Sequence, residues 1–215
     1  MYELIVFDWD GTLMDSESRI VTCVQAAAAD LSWDVPDYDA AKEIIGLGLN
    51  EAMARLFPGR DALEVQQLAD QYRLHFLADH IPGSVLFDGA REVLSHLTDT
   101  GYFIAVATGK SRRGLKKEFE STGLGTLFHA SRCADETFSK PNPQMLLEIL
   151  DQLGVEAAKT LVVGDTEYDI QMAVNGGTHA LGVSYGVHDP DRLLDNGALA
   201  CLDSLHEIPG WLARV

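Results

Sequence analysis

The sequence predicts a doubly wound α/β fold with a mainly parallel sheet, interrupted early by an all-helical insertion. Three observations carry this. Short, unbroken apolar runs recur along the chain, helical patterns lie between most of them, and the interval 16–81 holds helical patterns alone. Parallel strands are covered on both faces, so they read as continuous apolar runs rather than as alternating ones. Strand–helix alternation then points to helices packed on both faces of one sheet.

Taken in order, the clear strand runs are "LIVF" (4–7), "FIAVAT" (103–108), "LVVG" (161–164) and "ALGVSY" (180–185), with weaker ones at 128–133 and 199–202. Helical patterns occupy 88–99, 111–121, 143–153, 167–176, 189–196 and 203–213. Inside the insertion, the segments beginning "SRIVTC", "AAKEII", "NEAMAR" and "ALEVQQ" are helical, separated by the "GLGLN" turn (46–50) and the "FPGR" break (57–60). The expected division is a core of 1–15 and 82–215 and a helical unit of 16–81. The chain is expected to leave that unit through "HIPGS" (80–84), where Pro-Gly suits a hinge.

Charge excludes several partners. A chain of 215 residues has room for one ample core plus a smaller module, and its net charge of −17 repels nucleic-acid backbones and anionic membranes. No segment approaches the roughly 18 apolar residues of a membrane helix. The first residues lack the basic flank and long apolar stretch of a secretory leader, and the three scattered cysteines read as reduced thiols. The expectation is a cytoplasmic protein acting on a small molecule, its oligomeric state open. An anionic substrate would need local positive charge against this field, which a metal ion can supply.

In open α/β sheets, ligands gather beyond the carboxyl ends of the strands. There the sequence puts Asp8 and Asp10 after the first run, Thr108-Gly109-Lys110 after the second, and Gly164-Asp165 with Asp169 after the third; Lys140 precedes the helix at 143–153. Residues i and i+2 of an extended segment point the same way, so Asp8 and Asp10 can face one reacting centre, one as nucleophile and one handling protons. With Asp165 and Asp169 they form a four-acid cluster that needs a cation, and all-carboxylate ligation suits Mg²⁺. Thr108 and adjacent backbone amides can donate to an anion. Trp9 points the other way and reads as packing beneath the sheet.

Competing motif readings fail on spacing. A calcium loop starting at Asp8 needs Gly at its sixth position and Glu at its twelfth, where Leu13 and Arg19 stand. A P-loop ending in "GKS" (109–111) needs an earlier glycine where Ile104 stands. "GLGLNE" (46–51) follows a helix rather than a strand. Lys110, Arg112 and Arg113 read as an ordinary basic first helical turn, although Lys110 falls close to the candidate site. His75 and His80 read as surface or packing residues.

The segments "LIVFDWDGTLMD", "AVATGK", "SKPNPQM" and "VGDTEYD" resemble, in order, the four signatures of the haloacid dehalogenase superfamily. The likeness covers essentially the whole chain, and the helical insertion resembles the small cap of its phosphoglycolate phosphatase-like and phosphoglucomutase-like members. The resemblance implies a Rossmann-like core and a Mg²⁺-dependent phosphatase for a small phosphomonoester. It implies Asp8 as nucleophile, Asp10 as acid and base, and Thr108, Gly109 and Lys140 as phosphoryl-binding residues. Asp8, the Asp10 carbonyl and Asp165 would hold the metal, with Asp169 in support. Phosphoglycolate is the leading substrate expectation. A sugar phosphomutase, a nucleotide or pyrophosphate phosphatase, and a non-catalytic regulatory protein stand as the alternatives. Arg19, Lys42, Arg55 and the "GLGLN" turn are candidates for reading the leaving group.

Overall fold

The computed structural model describes residues 1–78 and 83–215. The expected exit at 80–84, the boundary between 81 and 82, and the reading of His80 fall wholly or partly outside the described residues.

The elements run β1 (Leu4–Phe7), β2 (Met14–Asp15), α1 (Glu17–Asp30), α2 (Tyr38–Lys42), α3 (Leu49–Leu56), α4 (Ala62–Leu77) and β3 (Val85–Leu86). They continue with α5 (Ala90–Asp99), β4 (Phe103–Thr108), α6 (Arg112–Thr122), β5 (Ala130–Cys133), α7 (Gln144–Leu153) and β6 (Thr160–Gly164). The last are α8 (Glu167–Asn175), β7 (His179–Val183), α9 (Pro190–Asp195), β8 (Cys201–Leu202) and α10 (Glu207–Leu212).

Six strands form one sheet in the order β5-β4-β1-β6-β7-β8, every pair parallel. Alternate residues of each strand serve opposite faces. Ile5, Phe7, Ile104, Val106, Leu161 and Val163 share a core with Leu94 and Leu97 of α5 and Ile208 of α10. Leu4, Val6, Ala105, Ala107 and Val162 share another with Met145 and Ile149 of α7 and Ile170 and Met172 of α8. Both faces are therefore covered, which is why these strands carry no polar alternation. The chain builds outward from β1 on one side through β4 and β5, then returns to the other side through β6. The crevice where the order reverses lies at the carboxyl end of β1.

Residues 17–77 form four helices around a third core, including Ile20, Val24, Met53, Leu68 and Ala69, which also takes in Tyr168 and Val187 from beyond β6. Asp61 starts α4 with a capping box, accepting from the Leu63 and Glu64 amides while the Glu64 carboxylate accepts from the Asp61 amide. One pairing had no sequence signal: β2 and β3 form a two-stranded antiparallel ribbon. Two residues per strand are too few to display a period. Among the described residues, no helix is long and apolar enough to cross a membrane.

Candidate active site

Beyond β1 the chain turns sharply. Leu13 and Met14 both donate to the Trp9 carbonyl, and Gly11 donates to the Met14 carbonyl. Gly11 sits at φ +82°, and a Cβ there would lie 2.1 Å from an Asp165 carboxylate oxygen, so the turn admits only glycine. Trp9 is fully buried, edge-on to Phe119 at 5.4 Å and to Phe128 at 6.2 Å. Its neighbours Asp8 and Asp10 both line a cavity above the sheet edge.

The carboxyl ends of β1 and β6 bring Asp8, Asp165 and Asp169 together, with one oxygen of each within 4.8 Å of the others. All three are buried, as is Lys140, whose Nζ lies 2.7 Å from Asp8 Oδ1 and 2.6 Å from Asp169 Oδ1. The other oxygen of Asp169 accepts from the Thr166 amide (3.1 Å) and hydroxyl (2.6 Å), which aims the carboxylate at Lys140. Asp165 is held by the Thr12 hydroxyl (2.7 Å) and the Val187 amide (2.9 Å). Thr12 is not among the site residues expected from the sequence. Its partner is 153 residues away, and no local pattern announces such a contact.

The electrostatics of this cluster are unbalanced. Burial pushes the Asp8 carboxyl well above the usual carboxylate range; Lys140 opposes this, while Asp169 and Asp165 add to it. Burial, then the Asp169 charge, pushes Asp165 up to about 7. Burial disfavours the Lys140 ammonium, but Asp169 and Asp8 outweigh it and hold Lys140 above its ordinary value. Three carboxylates against one ammonium leave a formal excess of two negative charges among buried groups, an arrangement that is costly unless neutralised. Asp8 takes no well-directed hydrogen bond on either oxygen, despite the close Lys140 ion pair. A buried, oxygen-only donor set with orphaned lone pairs and this charge fits a small divalent cation.

Asp10 faces different partners. Its Oδ1 accepts from the Ser16 hydroxyl at 2.6 Å and lies 2.9 Å from Lys110 Nζ. The expectation for Lys110 is corrected here. Helix α6 begins at Arg112, capped by the Ser111 hydroxyl, which accepts from the Gly114 amide. Lys110 therefore lies before the helix, with only 8% of its side chain exposed. Its ammonium also approaches Glu118 (3.8 Å) and the Phe76 ring (4.7 Å to the centroid). Thr108, at the end of β4, accepts from the Lys110 amide (3.1 Å), which leaves its own hydroxyl proton to donate. Gly109 meets the "GLGLN" turn: a Cβ there would lie 2.4 Å from the Leu47 carbonyl oxygen.

That turn is seated on the core. Gly48 N donates to Ser139 Oγ (2.7 Å), and the Tyr168 hydroxyl donates to the Glu43 carbonyl (3.0 Å). Arg192 grips Glu43 bidentately and also Glu167, tying the segment after α2 to α8 and α9. Arg192 in turn holds both carboxyls below their ordinary range. Between the turn, α1, α4 and the sheet edge lies a cavity of about 390 Å³. The candidate cations named from the sequence do not line it. Lys42 pairs with Glu17 (3.1 Å), Arg19 donates to the Phe76 carbonyl (2.7 Å), and Arg55 lies over the Tyr168 ring (5.4 Å). His75 pairs with Asp30 at 2.8 Å.

A doubly wound parallel sheet bearing buried carboxylates and a lysine at its carboxyl edge defines an α/β enzyme built to handle an anionic group. Residues 5–183 match the family described as Haloacid dehalogenase-like hydrolase, and the chain belongs to that family. It is 36% identical over 215 residues to Probable phosphatase IndB of Dickeya dadantii, covering 98% of this chain and 93% of that protein. It is 30% identical over 222 residues to a phosphoglycolate phosphatase of Rhodospirillum rubrum, covering 99% and 91%. A crystal structure of a predicted phosphatase from Clostridium acetobutylicum superposes with a TM-score of 0.90 at 25% identity, covering all of both chains.

Proposed function

We propose that the chain is a Mg²⁺-dependent phosphatase that hydrolyses a small phosphomonoester through an aspartyl phosphate on Asp8. The observation that carries the reading is Asp8 itself. It is a buried carboxylate with no well-directed hydrogen bond, beside a buried lysine and facing a cavity. The matched family and the phosphatase names of the relatives support the same reading.

In the first step an Asp8 oxygen attacks phosphorus and the P–O bond to the leaving group breaks. Asp10 gives its proton to the departing alkoxide. In the second step Asp10 takes a proton from water, whose oxygen attacks the phosphorus of the aspartyl phosphate. Inorganic phosphate leaves and the Asp8 carboxylate returns. Lys140, the Thr108 hydroxyl and the Gly109 backbone hold phosphoryl oxygens, and Asp169 orients Lys140. Asp8, Asp165 and the Asp10 carbonyl would hold the ion, with Asp169 in support. When bound, it supplies charge neutralisation of the transferring group. Helices of the 16–81 segment act as a lid over the core formed by 1–15 and 82–215, keeping bulk water from the aspartyl phosphate.

The test is phosphate release from p-nitrophenyl phosphate with Mg²⁺. Wild type is expected to turn over, to stop in EDTA and to recover when Mg²⁺ is restored. Asp8→Asn is expected to lose about 10³-fold or more in kcat, the scale of removing a nucleophile. Comparable turnover in that variant sinks the mechanism.

A further inference from the structure

The walls of the cavity carry information about the ester that the motifs do not. We infer that the preferred substrate is a phosphomonoester whose leaving group is an uncharged, largely apolar body, larger than the two-carbon acid of phosphoglycolate. This deepens the phosphatase reading and rests on it.

Size is the first argument. About 390 Å³ falls within the range of pockets that enclose a whole small-molecule ligand, about 300–1,000 Å³; the phosphoryl group takes the part beside Asp8 and Asp10, and a glycolate unit fills little of the remainder. The second is the chemistry of the walls. Ile20 and Val24 of α1, Ile45 just before the turn, Leu47 within it, and Met53 of α3 line the cavity. Tyr72 and Phe76 of α4 also line it, stacked at 5.5 Å with 25° between their rings. An apolar group removed from water gains free energy against such a surface, whereas a carboxylate loses its hydration there.

Charge is the third argument. Among the described residues, three cations line the cavity: Arg73, Lys110 and Arg113. Lys110 is already committed to Asp10 and Glu118. Arg73 pairs with Asp70 and is 42% exposed, and Arg113 is exposed, where water screens its field. Glu51 and Asp135 line the same cavity and oppose a second anion. What remains uncommitted on the aromatic wall is the Tyr72 hydroxyl, which has no hydrogen-bond partner among the described residues. It offers a neutral leaving group one polar contact.

The experiment compares kcat/KM for phosphate release from 2-phosphoglycolate, ethyl phosphate and 2-phenylethyl phosphate, all esters of unactivated alcohols. The phenylethyl ester is expected to exceed the other two by about tenfold or more, chiefly through a lower KM. Phosphoglycolate turned over as well as the phenylethyl ester, or better, overturns the inference and leaves the phosphatase reading standing. No release from any ester, p-nitrophenyl phosphate included, overturns the phosphatase reading and the inference with it. Leu49 lines the cavity at the first position of α3 and is only half-buried. Leu49→Lys is expected to narrow the preference several-fold, and Leu49→Gln is expected not to; an unmoved ratio in a folded Leu49→Lys counts against the inference. The wild-type series decides the question even where the variant does not fold.

Discussion

The two ends of this site are built on opposite principles. At the sheet edge, the buried acids Asp8, Asp165 and Asp169 and the buried Lys140 are clamped by one another and by Thr12, Thr166 and the Val187 amide. Under the helices of 17–77 the wall is largely aliphatic and aromatic, and Lys110, whose side chain is nearly buried there, is tied to Asp10. The charged end suits a group common to every phosphate ester. The apolar end suits whatever distinguishes one ester from another. On the proposed function, chemistry and selectivity are carried by different physical forces, and substitutions at the two ends should have separable signatures.

The largest effect is expected from Lys140→Met. Removing one partner of a buried ion pair leaves Asp8 and Asp169 uncompensated, a loss of about 3–5 kcal/mol in stability. Activity is expected to fall by about 10²-fold or more in kcat even at temperatures where the variant stays folded, as for loss of a preorganised cation at a transition state. Denaturant melts and steady-state kinetics check the two together; an unchanged kcat breaks the contrast between the ends.

Lys110→Met comes next, and it sharpens the boundary between them. Because Lys110 holds Asp10 rather than a phosphoryl group in this reading, kcat is expected to fall about tenfold or more with KM for p-nitrophenyl phosphate little changed. Lys110→Arg should restore part of it. A rise in KM alone would instead place Lys110 with the substrate contacts.

Gly109→Val belongs to the junction. Its side chain would collide with the Leu47 carbonyl and lift the "GLGLN" turn from the core. Raised KM, a smaller change in kcat and loss of discrimination among esters are expected, read from the same ester series.

The smallest effect concerns the Arg192 clasp. Glu43 and Glu167 are held below their ordinary range chiefly by hydrogen bonds from Arg192. A depressed carboxyl contributes stability that is present above its unfolded value, near 4.5, and is lost as pH falls through the lower folded value. The Tm difference between wild type and Arg192→Gln should therefore be largest near neutral pH and shrink as pH drops below about 4.5. Since these groups are partly exposed, the difference should stay within a few degrees. A difference that grows on acidification contradicts the assignment.

Much of the fold was legible because buried parallel strands and amphipathic helices advertise themselves within ten residues. Each of the strand runs read from sequence lies at a strand of the six-stranded sheet. The buried cluster of Asp8, Lys140, Asp165 and Asp169 was legible because the loops that follow the strands of such a sheet share one edge. Lys110 was misread because its type and neighbours suggested a helix turn, while its partners Asp10, Glu118 and Phe76 come from three other segments. The β2–β3 ribbon was missed because its signal is a pairing rather than a pattern.

By itself, then, the sequence determined the parallel sheet, the helical insertion and the acids and lysine at the carboxyl edge, since all follow from local periodicity and strand order. Only the tertiary structure decided who holds whom: Thr12 on Asp165, Lys110 on Asp10, Gly109 against Leu47, and an apolar chamber assembled from α1, α3, α4 and a turn. A helix's apolar stripe looks the same in sequence whether it packs on a neighbour or lines a cavity. The physical difference between the two is where the chain brings its distant segments together.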